Sequence, residues 1–140
     1  MSYLEKTAWI MIAALTFGGF FYFGVVAEHS PSLWQLAEPD VPLIATYTLA
    51  LVVIAVVGHI VTGILSPKDA NAPLGERDRR ISDKAGHWSS YVLGFGVVMS
   101  LGGYLFLHNG NLLFYGVFAS LMLSQIIEYA IQILLYRTGV

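Results

Sequence analysis

The chain has 140 residues, 56% of them hydrophobic and 11% charged, with a formal net charge of −2. A soluble domain carries about a quarter charged residues to keep its surface wet, so this composition argues against a water-soluble globule. The absence of cysteine excludes a disulfide framework, a thiolate metal site and a cysteine nucleophile, and the seven basic residues are too few and too scattered for nucleic acid.

Four apolar stretches follow in chain order, at residues 7–26, 43–65, 88–107 and 112–135. About 20 helical residues rising about 1.5 Å each cross a hydrocarbon core of about 30 Å. Backbone amides in lipid need internal partners, and without a closed set of alternating strands the helix is the solution available. The sequence therefore predicts an all-α integral membrane protein. It is expected to form a single four-helix transmembrane bundle over residues 1–140, with a charged segment at 66–87.

The first stretch could pass for a signal peptide, since Lys6 precedes it and Val25-Val26-Ala27 supplies small residues. A signal h-region is typically about 7 to 15 residues, whereas this run is longer and carries Phe20-Phe21-Tyr22-Phe23, so a retained helix is expected. Beyond it, the segment from Ala27 to Val41 holds Glu28, Glu38 and Asp40 but no base. Asp40 before Val41-Pro42 is placed to cap the second helix, an acceptor side chain followed by a residue suited to a first helical turn. Ser66-Pro67 should end that helix, because proline lacks an amide hydrogen and disfavours helix in the residue before it. Asn111 is the matching expectation for the start of the fourth helix.

Residues 66–87 form the one long polar segment, opening with a loose run from Pro67 to Pro73. Glu76 with Arg80, and Arg79 with Asp83, are each four apart, which supports a helix running from about Glu76 straight into the third span. The plain reading is a solvated extension, and the sharper one is a partner-docking site at Glu76, Arg77, Asp78 and Arg80. Five bases against four acids argue against a polybasic lipid clamp.

Lys6, Lys68, Arg77, Arg79, Arg80, Lys84 and Arg137 are every lysine and arginine in the chain, and all seven fall on one side of the four-span arrangement. The positive-inside rule then places both termini and the middle segment in the cytoplasm, and a prokaryotic inner membrane is the expected location. Tyr22, Trp34, Tyr47 and Tyr104 near the outer face, with Tyr3, Trp9, Trp88 and Tyr136 near the inner one, fit interfacial aromatic belts.

Gly18-Gly19-Phe20 resembles Gly102-Gly103-Tyr104, and the run from His59 to Leu65 lines up with that from Glu128 to Leu134. Two similar hairpins related by a pseudo-two-fold axis along the membrane normal would produce this pattern.

His59 and Glu128 are the only members of the Asp, Glu, His, Lys and Arg set well inside the spans. They lie roughly 9 and 10 Å from the boundary by helical rise. A charge at that depth costs at least about 3 kcal/mol on insertion scales, so such a group normally faces the bundle interior and finds a partner. Gln125, Glu128 and Gln132 are spaced three and four apart, which stacks them on one helical face. Tyr91, with Ser89 and Ser90, comes at a similar level. These residues read either as a proton- or ligand-binding site or as a polar contact that fixes helix packing. A haem would need His59 and His87, but these differ in depth by about 9 Å while one iron needs both imidazoles at nearly one height. No metal-ligand spacing is present and no cofactor is expected.

The run Gly75-Glu76-Arg77-Asp78-Arg79-Arg80-Ile81, followed by Lys84-Ala85 and a span, resembles the charged central motif of an uncharacterised DUF2178-like family of small four-helix membrane proteins. The resemblance covers the second half of the chain. It implies a membrane location and four helices, and no activity. No nucleophile with an adjacent base or phosphate-cradling glycine loop is visible, so an enzyme is not expected. The first expectation is a non-enzymatic membrane protein acting by association, as a homo-oligomer or an accessory subunit. The alternatives are a small transporter or proton-linked carrier and, third, a haem-binding bundle.

Overall fold

The computed structural model describes residues 2–139, apart from the side chains of residues 69 and 70. Its helices are α1 (Tyr3–Glu28), α2 (Val41–Leu65), the short α3 (Pro67–Ala70), α4 (Glu76–Leu107) and α5 (Gly110–Thr138). All but α3 are long and apolar enough to cross a membrane.

Local chemistry sets the boundaries. Ser2 Oγ accepts from the Glu5 amide at 3.2 Å to start α1, a cap not read from the sequence, and Asp40 Oδ2 accepts from the Leu43 amide at 3.0 Å to start α2, the cap expected there. Ser66 ends α2, and the supposedly loose run after it closes one turn of helix, α3. The charged segment continues unbroken into the third apolar stretch, so α4 has 32 residues. The cap of α5 differs from the expectation: Asn109, not Asn111, accepts from the Leu112 amide at 3.1 Å. Helix α4 runs to Leu107, and His108 in the left-handed region (φ 51°) turns the chain, which brings the capping position two residues earlier. Asn111 instead donates to Leu36 O at 3.0 Å and Asn109 to Trp34 O at 3.0 Å, so the α4–α5 turn pins the α1–α2 connection.

The four long helices run alternately up and down and pack in the order α2, α1, α5, α4. Small residues make each interface close, since they let neighbouring helix backbones approach. Gly18 lies under Tyr47 and Gly58 under Ile10 between α1 and α2, and Gly19 lies under Met122 between α1 and α5. Between α4 and α5 the match is reciprocal, Gly96 facing Ser120 and Gly116 facing Ser100. Helices α2 and α4 do not pack on each other, so the bundle is open along one side. A two-fold relating the α1–α2 and α4–α5 hairpins would turn the α1–α5 interface into an α4–α2 interface, and that reciprocal interface is missing.

The buried core sits where α1, α2 and α5 meet near the turns: Tyr22, Val26, Tyr47, Tyr115 and Met122, flanked by Phe114 and Phe118. Tyr22 is wholly buried, with ring centroids 5.3 Å from Tyr47 and 4.8 Å from Phe118. Tyr22 and Tyr47 are thus core residues, not members of an interfacial belt. Among the described residues their hydroxyls have no hydrogen-bond partner.

At the opposite end both described chain ends meet the charged segment. Lys6 Nζ donates to Ser66 Oγ at 2.6 Å, and Arg137 Nε stands 3.5 Å from Glu5 Oε1 with its guanidinium 5.4 Å from the Trp9 ring centroid. The Tyr136 hydroxyl donates to Asp78 Oδ1 at 2.9 Å, and Arg77 donates to Tyr136 O at 3.2 Å.

Candidate functional site

Glu128 sits two turns beyond Ser120 on α5, half-buried against α4. The register that pairs Gly96 with Ser120 carries on down the seam and brings buried Ser89 beside it. The Ser89 hydroxyl has Glu128 Oε2 at 3.2 Å and Gly86 O at 3.0 Å, with one hydrogen to divide between them. This is the contact the structure makes within the polar group singled out from sequence.

The other members are dispersed. His59 lies on an exposed face of α2, and its Nδ1 is 2.6 Å from Ala55 O of its own helix. It shares a depth with Glu128 but no hydrogen bond, because α2 lies against α1 while Glu128 faces α4. Gln125 points outward, and Gln132 is half-buried. Their spacing does not hold all three against one partner, since the face that α5 turns to α4 carries Gly116, Ser120 and Ser124 as well. Tyr91 is exposed, edge-on to His87 with centroids 4.9 Å apart. His87 and His59, the pair a haem would need, stand on α4 and α2, which do not pack together.

Of the docking candidates, Arg77 and Asp78 are engaged by Tyr136, whereas Glu76 and Arg80 pair with each other at 3.5 Å with both side chains largely in solvent. The Arg79–Asp83 pair expected from spacing is not formed among the described residues. Sequence reasoning missed the role of Tyr136, whose position in the last turn of α5 gave no sign of the partner its hydroxyl would reach.

No protein-family model, curated protein or solved structure matches this chain. The likeness of the Gly75–Ile81 run to the DUF2178-like motif therefore stands on those residues alone.

Proposed function

We propose that this is a non-enzymatic integral membrane protein, both termini cytoplasmic, which acts by association with a second copy of itself or with a larger membrane complex. The observation that carries this reading is the open edge formed by α4. Its most apolar 18-residue window contains no buried residue. Helix α5 covers one side of it, and Gly86, Gly94 and Gly102 on its other surface have nothing within 4 Å of where a side chain would begin. The gathering of Lys6, Arg77 and Arg137 at one end supports the orientation, since all belong to the side the positive-inside rule assigns to the cytoplasm.

The chain has no cysteine, so single cysteines report contacts without background. Gly94→Cys and Gly102→Cys, oxidised in native membranes, are expected to give an adduct of twice the chain mass for self-association, and the same cysteines carrying a photoactivated crosslinker are expected to give an adduct of another fixed mass for an accessory subunit. Phe20→Cys on the exposed surface of α1 should give none. Monomer alone at every α4 position would overturn the reading.

One observation favours a second reading, a proton-linked carrier. Ser89 cannot donate fully to both of its acceptors, whereas a protonated Glu128 would donate to Ser89 Oγ and leave the serine hydrogen for Gly86 O. A proton carried on Glu128 would thus re-partition one hydrogen bond at the α4–α5 seam. Association remains the better supported, because the remaining polar residues of the proposed carrier site are dispersed.

A further inference from the structure

A groove of about 750 Å³ lies between the first turns of α4 and the last turn of α5, lined by Arg77, Arg80, Lys84, Glu76, Asp83 and Ile81, with Leu135 and Gly139 completing it. We propose that this groove binds the phosphate headgroup of an anionic phospholipid in the cytoplasmic leaflet. The proposal rests on the membrane orientation given above.

The cations are arranged for it. Arg77, Arg80 and Lys84 are spaced three and four apart, so they share one face of α4. Arg77 is held in place by its hydrogen bond to Tyr136 O and by the Tyr136 ring 6.0 Å beneath its guanidinium. A fixed guanidinium loses less freedom on meeting a phosphate, whose oxygens match its donor fork. Lys84 has no carboxylate within 4.0 Å among the described residues.

By sequence count the bases of this segment exceed its acids by one, five to four, and the groove keeps that excess on one face of α4. Asp78 is turned away to accept from Tyr136 and is absent from the groove. Glu76 and Asp83 remain, so three cations face two carboxylates. Glu76 holds Arg80 only through a solvent-exposed pair, of the kind worth about 1 kcal/mol or less, which a phosphate can displace.

The groove also sits at the right height. Ile81, 2% exposed, packs at its floor with Leu135, the last residue of the apolar run of α5. The cationic rim therefore meets the groove at the point where the apolar surface ends. A ligand with a phosphate joined to acyl chains fits both parts, whereas inorganic phosphate fits only the rim.

The test uses the full chain purified in neutral detergent, with phosphatidylglycerol, phosphatidylcholine and inorganic phosphate as separate probes in native mass spectrometry. Phosphatidylglycerol is expected to bind the wild type, and Arg80→Gln with Lys84→Gln should weaken it by about thirty-fold. Arg79→Gln with Lys68→Gln removes the same charge outside the groove and should change binding less than about threefold. Glu76→Gln removes the competing acid and should tighten binding, a gain that misfolding cannot mimic. Equal losses in both double variants, equal binding of phosphatidylcholine, or competition by millimolar inorganic phosphate would each overturn the proposal. Failure of the membrane reading shows separately, as release of the chain from membranes by alkaline carbonate.

Discussion

At the scale of single residues, burial decided several roles that residue type alone had suggested differently. Tyrosine is amphipathic and favours membrane interfaces, so Tyr22 and Tyr47 near the ends of apolar runs read as belt residues. Helix rotation instead turns both rings into the α1–α2–α5 junction, and the hydroxyls are buried without partners among the described residues. An orphaned buried hydroxyl costs about 1 to 3 kcal/mol, so Tyr22→Phe and Tyr47→Phe should leave thermal stability unchanged or raise it. A clear fall in the unfolding midpoint of either would show that the hydroxyl has a partner. The same logic applies to polar pairs: His59 and Glu128 were grouped because they lie equally far along their apolar stretches, yet equal depth says nothing about azimuth. Glu128 found Ser89, and His59 found its own backbone.

At the scale of elements, the helices and most of their ends were legible. Twenty or so apolar residues, an aspartate before proline and a serine before proline are local signals that need no tertiary partner. The charged start of α4 was legible for the same reason, through four-residue charge spacing. Which glycines matter was not, since a smooth patch serves any neighbour. Gly96 faces Ser120, whose Cβ would lie 2.6 Å from an added side-chain carbon and whose Cα would lie 3.5 Å away. Gly96→Val should therefore force α4 and α5 apart and lower stability by about 1 to 3 kcal/mol. Gly103→Ala meets open space and should be neutral or stabilise the isolated chain by up to about 1 kcal/mol through helix propensity. Detergent-resistance melting curves check both, and equal effects would mean that the Gly96–Ser120 seam does not hold the hairpin.

At the scale of the whole molecule, the open order α2, α1, α5, α4 determines what the chain can do. A carrier needs its polar groups around one path, but Glu128 lies in the α4–α5 seam and His59 on the exposed surface of α2. Proteoliposomes holding the wild type should therefore show no pH-driven flux beyond that of Glu128→Gln, and a wild-type flux lost in that variant would move the carrier reading to first place. The sequence by itself determined the four apolar helices, their caps at Asp40 and Ser66, and the exclusion of every lysine and arginine from the four apolar stretches. These follow from hydropathy, backbone chemistry and charge counted along the chain. Only the tertiary structure decided that the bundle stays open, that Asp78 leaves the cationic face for Tyr136, and that His59 and Glu128 face different neighbours. Each of those depends on how a helix is rotated about its axis and which helix lies beside it, and helices apolar on every face reveal neither until their small residues and side-chain hydrogen bonds meet.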